Sequence, residues 1–231
     1  MHAPLGIDSL DRALGGGLAR ARLHELFAAE PADGPAAAGF AAMLARLALP
    51  PGAPLLWLRQ EEAERAGGGL SASGLAQIGI DPARLVLLVP PDPVRLLRAA
   101  ADVVRCPPVG AAVIELWQRP RVLDLTASRR LAVAAEESGV TVLMLRVDAE
   151  PAPSAAHTRW RIASTPSTAL EADAPGHPAF AIELLRQRGR PDGGRWRVEW
   201  DREQAAFREA PLPGAVVPAA AGGPEAAPLR A

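Results

Sequence analysis

The chain has 231 residues, of which 49% are hydrophobic, and a formal net charge of −1. This length suits one sizeable domain, and the near-neutral charge excludes a global positive field that would attract nucleic acid. Cys106 is the single cysteine, which excludes an internal disulfide and predicts a cytoplasmic protein. There is no basic-then-apolar signal and no apolar run of the roughly 20 residues that a membrane span needs, so we expect no membrane association.

The N-terminal stretch carries a glycine- and leucine-rich pattern. Between Gly6 and Leu18 the chain matches G-x-x-x-L-D-x-x-L-G-G-G-L, and a strand is predicted over residues 22–28. The pattern resembles the lead-in of RecA-like ATPases, in which a phosphate loop follows this strand. The sequence therefore predicts where a nucleotide's phosphates would lie.

The segment that should form the phosphate loop lacks the residues that bind phosphate. A working loop reads G-x-x-x-x-G-K-[ST], because backbone N–H groups, a lysine and a hydroxyl hold the phosphates and Mg²⁺. Gly34 and Gly39 take the places of loop glycines, but the whole chain has no lysine, and Glu30 and Asp33 would repel phosphate. We therefore expect no nucleotide site, no ATPase activity, no catalytic residue, no cofactor and no metal.

The next 110 or so residues alternate between apolar strands and helices bounded by proline, glycine and aspartate. Strands are predicted at 55–58, 85–89, 109–117 and 140–147. Three helices are predicted: one runs from Phe40 to the prolines at 50–51, one begins at Asp92, and one covers residues 126–138. This alternation predicts an α/β fold, a RecA-like core with a mainly parallel central sheet flanked by helices, that extends to about residue 150.

Two glutamates stand where RecA-like ATPases place catalytic acids. Glu61 follows the strand at 55–58 and is the nearest match to the acid that activates the attacking water. Glu115 takes the Walker B position in the strand at 109–117. Without a nucleotide, we interpret Glu61 as a solvated charge and Glu115 as a structural or partner contact, since one carboxylate without phosphates is a poor Mg²⁺ site.

The C-terminal third changes to strands joined by tight turns. Strands are predicted at 159–163, 180–187 and 195–200, the last two joined as a hairpin through residues 190–194. They form an antiparallel extension over residues 157–203 of a single domain spanning 1–207. Residues 208–231 are predicted to be a disordered tail, because their Ala/Pro/Gly composition cannot bury enough apolar surface.

The predicted hairpin is rich in arginine. Period-two alternation predicts that it gathers five arginines into one basic patch that binds a partner or the DNA backbone: Arg186, Arg188, Arg190, Arg195 and Arg197. Trp196 and Trp200 are then expected to point to the opposite face, toward the core. A solvated arginine surface in a lysine-free chain is an equal alternative.

Taken together, the lead-in, the lysine-free loop and three further stretches resemble the ImuA family, RecA-related proteins of bacterial mutagenesis cassettes. The stretches are V-I-E-L-W at 113–117, R-W-R-I-A-S at 159–164 and E-L-L-R-Q-R-G-R-P-D-G-G-R-W-R-V-E-W at 183–200. The resemblance implies a non-catalytic accessory factor in SOS-induced, error-prone translesion synthesis and the DNA damage response. Its implied partners are an ImuB-like adaptor, an error-prone DNA polymerase and, as a further candidate, RecA.

For DNA, the expectation is indirect or weak contact. Self-assembly into a filament is not expected, because no N-terminal docking helix and strand precede the lead-in. A divergent RecA/RadA-like ATPase and an SOS cell-division inhibitor remain as alternatives. The ATPase would need a phosphate-binding cation, and Arg46 lies too far along its helix to supply one.

Overall fold

The structure is a computed structural model that describes residues 1–167, 176–191 and 193–210. Its helices are α1 (Asp8–Leu14), α2 (Gly34–Ala48), α3 (Glu61–Gly67), α4 (Ala72–Gln77), α5 (Pro93–Val104) and α6 (Leu125–Ser138). Its strands are β1 (His2–Ala3), β2 (Leu18–Ala19), β3 (Leu23–Ala28), β4 (Leu55–Arg59), β5 (Leu85–Leu88), β6 (Ala111–Trp117), β7 (Thr141–Val147), β8 (Thr158–Ser164), β9 (Ala179–Gln187), β10 (Arg195–Asp201) and β11 (Ala206–Glu209). Short 3-10 turns occupy Pro31–Asp33 and Pro82–Arg84.

One nine-stranded sheet organises these elements, in the order β11-β10-β9-β8-β3-β7-β6-β4-β5. The strands from β8 to β5 pair in parallel, whereas β8, β9, β10 and β11 pair with one another in antiparallel fashion. β1 and β2 form a separate two-stranded ribbon. The predicted parallel core with an antiparallel C-terminal extension is confirmed.

Helices cover both faces of the sheet and bury two apolar clusters. On the α2 face, Phe40 and Leu44 of α2 pack with Leu143 and Leu145 of β7. On the opposite face, defined here as the α5–α6 face, both helices pack against the intervening residues of the same strands, such as Met144. This alternation along β7 follows from the period of two in a strand that is buried on both faces.

The C-terminal boundary differs from the one predicted. The tail was expected to begin at residue 208, but Arg208 and Glu209 belong to β11 and pair with β10. The physical reason is Phe207, which is buried with its ring centroid 4.9 Å from that of Trp200 and 5.1 Å from that of Phe40. The remainder of the predicted tail, residues 211–231, lies outside the described residues.

The glycine-rich lead-in is a structural unit that includes a helix the sequence pattern did not predict. The Asp11 carboxylate accepts hydrogen bonds from the backbone N–H groups of Leu5 (2.8 Å) and Gly6 (3.1 Å). α1 then ends at Gly15, whose φ of 79° is the left-handed conformation that glycine adopts most readily. The backbone N–H of Phe207 donates to the Leu5 carbonyl (2.9 Å), so the lead-in is fastened to the C-terminal strands.

A buried histidine fixes the start of β3. His24 is fully buried, with Nε2 2.8 Å from the Ala19 carbonyl oxygen and Nδ1 2.6 Å from the Thr158 hydroxyl. A carbonyl only accepts, so Nε2 carries the proton of the neutral imidazole and Nδ1 is left as an acceptor. The Thr158 hydroxyl therefore donates to Nδ1 while it accepts from the Trp160 indole. Burial, above all, lowers the pKa of His24 to about 3.

We predict that this histidine makes the protein less stable in mild acid. Between its folded pKa of about 3 and its ordinary value of 6.5, the unfolded chain binds a proton that the folded chain does not. The free energy of unfolding should therefore fall by about 2 kcal/mol between pH 7 and pH 5 from this group alone. Urea unfolding of the wild type and of His24→Gln measures this, and the variant should show the smaller pH dependence. Parallel pH profiles for the two proteins would contradict the assignment.

Candidate functional site

The segment after β3 is short and is attached to β8. Beyond Ala28, the Ala29 N–H donates to the carbonyl of Ile162 (2.8 Å), and the 3-10 turn leads directly into α2. Asp33 accepts two hydrogen bonds through one carboxylate oxygen, from the backbone N–H of Ser164 (2.8 Å) and from its hydroxyl (2.7 Å). The carboxylate that was expected to repel phosphate therefore fastens the segment to a neighbouring strand.

Neither glycine of this segment has the conformation that a phosphate loop would require of it. Gly34 is buried, and a Cβ there would lie 3.2 Å from Val147, so close packing explains the glycine. A Cβ at Gly39 would meet nothing, and neither residue has a positive φ. Pro35 removes one N–H donor from the first turn of α2, and Glu30 is exposed at its approach. The start of α2 is thus built for packing.

The Walker B-like carboxylate of Glu115 lies at the centre of a buried hydrogen-bond network. Its two oxygens accept from Arg59 Nη2 (3.2 Å), Trp57 Nε1 (3.1 Å) and Trp117 Nε1 (3.0 Å). Glu115 and Arg59 are both 3% exposed and are register partners on the paired strands β6 and β4. Three donors, one of them charged, thus surround the group that would hold Mg²⁺ in an ATPase.

The same arginine also holds the connection after α3. Arg59 Nη1 donates to the Gly68 carbonyl (2.8 Å) and to Glu64 (3.2 Å), and Nη2 donates to the Ala63 carbonyl (3.1 Å). Its Nε is buried with no hydrogen-bond partner in the described part of the chain. Gly67 passes so close that a Cβ there would lie 3.3 Å from the Trp117 ring. The guanidinium therefore joins two strands, a helix and a glycine-rich loop.

Glu61, the candidate for activating water, lies apart from this network. It begins α3 with its side chain 54% exposed and forms an i,i+4 ion pair with Arg65 at 3.2 Å. Its position agrees with the interpretation as a solvated charge. The residue before it, Gln60, is buried and accepts a hydrogen bond from the backbone N–H of Trp117 (2.9 Å).

A cavity of about 330 Å³ adjoins the Glu115 network on the α2 face. Small residues of α2, two indole rings and apolar residues of α4 line most of it: Gly34, Pro35, Ala38, Gly39, Ala42, Trp57, Trp117, Leu75 and Ile78. Within residues 1–167, 176–191 and 193–210, no three His, Cys, Asp or Glu side chains group as metal ligands do. The polar part of its lining includes Arg59 and Glu115, which are already bound to each other.

The five hairpin arginines are not gathered into a single patch. β9 and β10 pair with Arg195 opposite Glu183, and Arg195 binds that carboxylate at 2.9 Å. Arg197 donates to the Thr165 hydroxyl, and the Arg190 guanidinium lies against Gly15 at the end of α1. The register is the physical reason, because it places residues 184–187 of β9 beyond the start of β10.

The remaining two arginines lie at the far end of β9. Arg186 is exposed opposite Arg159 of β8, where a bulge interrupts the pairing, and Arg188 is exposed in the following turn. Neither side chain forms an ion pair or hydrogen bond with another described residue. Trp200 is fully buried, and Trp196 is half-buried against the core with its indole donating to Ser9. The expected orientation of the two tryptophans is therefore confirmed.

Sequence reasoning missed Arg59, Trp57 and Trp117. The signal that could have found the first is an arginine that ends an apolar strand of sequence Leu-Leu-Trp-Leu-Arg, since a charge so placed needs a buried partner. Its partner could not have been identified from chain order, because β4 and β6 are separated by β5 and α5 in sequence.

We predict that the Glu115 network is a stability element. Glu115→Leu should lower the free energy of unfolding by about 3 kcal/mol, because it leaves the Arg59 charge buried without its main partner. In the double variant Arg59→Met/Glu115→Leu the loss should be smaller than the sum of the two single losses, by about 1 kcal/mol or more. Urea unfolding of the four proteins measures this coupling, and strictly additive losses would show that the two side chains act independently.

Comparison with known proteins identifies the family and the fold. No protein-family model matches the chain. It is 36% identical over 194 residues to the protein ImuA of Caulobacter vibrioides strain NA1000/CB15N, covering 78% of this chain and 75% of the relative, and the protein ImuA of strain ATCC 19089 matches equally.

Among solved structures, the crystal structure of the RadB recombinase superposes with a TM-score of 0.59, over 90% of this chain and 100% of that one. At 16% identity this likeness shows the fold alone. None of the helices in the described ranges has the length and apolar character to cross a membrane. The extent and identity of the match to the Caulobacter proteins show that the chain belongs to the ImuA family.

Proposed function

We propose that the protein is a non-catalytic, RecA-like accessory factor in SOS-induced, error-prone translesion DNA synthesis. The observation that carries the non-catalytic part is the Glu115 carboxylate, both of whose oxygens accept hydrogen bonds from buried donors, namely Arg59, Trp57 and Trp117. A Walker B acid directs an oxygen at Mg²⁺, whereas here the nearest cation to this carboxylate is the buried Arg59 guanidinium. Family membership supports the role in mutagenesis.

The competing function, a divergent ATPase, would need a phosphate-binding cation at the start of α2, and the first basic residue of that helix is Arg46. Phosphate binding needs free N–H donors and a cation at the start of the helix. Here Asp33 and Pro35 stand at the start of α2, and Arg59 is engaged with Glu115, Glu64 and two backbone carbonyls. No contact in the described residues favours the cell-division inhibitor over the repair factor.

On this proposal the protein acts in the cytoplasm through contacts with other proteins. The partners that we propose are an ImuB-like adaptor, an error-prone DNA polymerase and RecA, with only weak or indirect contact to DNA. Arg186 and Arg188 are the candidate partner contacts, because both are exposed and neither is neutralised by a described carboxylate. Arginine is a favoured anchor at protein interfaces.

We predict that ATP with Mg²⁺ does not bind, and isothermal titration calorimetry of the full chain is the measurement. The expected result is no heat of binding at about millimolar nucleotide, because the chain has no lysine and Arg59, the arginine beside the site, is engaged with Glu115. The double variant Arg59→Met/Glu115→Leu is a useful comparison, since it removes the network and should not create binding. A dissociation constant in the range of about 1–100 μM for the wild type would restore the ATPase interpretation.

A second prediction tests the partner contacts. Reversing the charge of both residues, Arg186→Glu with Arg188→Glu, should abolish co-purification with at least one of the adaptor, the polymerase and RecA when each is used as a separate bait. The control is Arg12→Glu with Arg202→Glu, which changes the net charge equally at two exposed sites elsewhere.

Circular dichroism should show that both double variants fold. If the Arg186/Arg188 variant retains every interaction of the wild type, these arginines are only solvated surface. If the wild type binds DNA in the absence of any protein partner, and that binding falls steeply with salt, the DNA backbone is the target of these arginines.

A further inference from the structure

A second surface, on the α5–α6 face, is apolar at its floor and basic at its rim. The helices α5 and α6 leave a groove between them that encloses about 300 Å³. Its floor is lined by Val94, Leu97 and Ala101 of α5, Val122 of the loop before α6, and Ala127 and Leu131 of α6. None of the residues discussed for the degenerate nucleotide site or the β9 turn takes part.

The floor is not needed to bury α5 against the sheet. Leu96, Ala100 and Val104 already do so, and each is fully buried. Val94 remains 40% exposed and Val122 remains 42% exposed, although both line the groove. α5 therefore has two apolar stripes, one that packs on the sheet and one, at Val94, Leu97 and Ala101, that faces the groove.

Two arginines flank this apolar floor without a counter-charge. Arg98 and Arg130 both line the groove, and neither forms an ion pair or a hydrogen bond through its side chain with a described residue. By contrast, Arg95 on the same helix pairs with Asp92 at 3.5 Å. Arg121 and Arg129 add two exposed positive charges nearby in the chain.

The nearby carboxylates Asp102 and Asp124 form no ion pair with Arg98 or Arg130. Asp124 caps α6 by accepting from the Ala127 N–H (2.7 Å), and Asp102 is exposed on α5. An apolar floor with an unpaired positive rim is complementary to a segment with apolar anchors and acidic flanks.

We propose that the groove between α5 and α6 docks an acidic amphipathic helix of a partner protein. A helix fits because two helices already form the walls and a third packs into the space between them with anchors at i, i+3 or i+4 and i+7. The unpaired guanidiniums of Arg98 and Arg130 attract acidic flanks and repel basic ones. A symmetric groove-to-groove contact between two copies of this chain does not fit, since it would bring Arg98 and Arg130 of one copy against the same residues of the other.

Nucleic acid is also a poorer match. Phosphates would be attracted by the arginines, but they would bury no apolar surface on Val94, Leu97 and Val122. A helix with an apolar face and acidic flanks is stabilised by both parts of the groove. The occupant of the groove is therefore a protein segment with an apolar face and acidic flanks.

The test uses the full chain and two synthetic probes. One labelled peptide of about 15 residues carries leucines at helical spacing with glutamates between them, and the other replaces every glutamate with lysine. Fluorescence anisotropy should show that the glutamate peptide binds the wild type at least about tenfold more tightly than the lysine peptide. In Arg98→Glu/Arg130→Glu this preference should be lost or reversed.

Matched variants make the result interpretable. Arg12→Glu/Arg202→Glu changes the net charge by the same amount at two exposed positions that do not line the groove, and it should leave binding unchanged. Val122→Asp, in the exposed loop, should weaken the binding of the glutamate peptide by about tenfold or more, because the substitution places a charge on the apolar floor. Thermal unfolding should show that each variant folds.

Three outcomes would overturn the proposal: equal binding of the two peptides to the wild type, equal loss in the control variant, or displacement of the glutamate peptide by a single-stranded oligonucleotide. None of these bears on whether ATP binds, so the groove and the proposed function can fail separately.

Discussion

The burial of one carboxylate constrains the centre of this molecule. Glu115 ends up 3% exposed inside the sheet, and a charge so placed must be matched by donors or it would destabilise the fold by several kcal/mol. Arg59 and two indoles provide those donors, and Arg59 in turn holds α3 and the loop that follows it. The position that an ATPase uses for a metal ion is here used to join β4, β6 and α3.

The RecA-like lead-in has local structural tasks in this fold. Asp11 ties it to its own backbone, and Leu10 and Leu14 fill the core. Gly34 and Asp33 likewise have local packing and hydrogen-bonding partners in Val147 and Ser164.

The fold could be predicted from sequence because its strands and helices are bounded by prolines, glycines and capping aspartates such as Asp92 and Asp124. The site was less predictable. The sequence shows directly that residues 28–40 contain no lysine, serine or threonine, but the pairing of Arg59 with Glu115 depends on which strands are neighbours. The prediction of a single arginine patch was wrong for a related reason. It depended on the offset between β9 and β10 and on the bulge at Arg159, which are properties of the folded sheet.

The contact between the two ends of the described chain has a consequence for synthesis. Leu5 bonds to Phe207, and Ser9 contacts both Trp196 and Glu209, so α1 completes its burial only after some 200 later residues exist. A ribosome releases the lead-in first and its docking strands last. Until those strands have been synthesised, the lead-in lacks these contacts, and an incompletely docked apolar segment is a place where misassembly can begin.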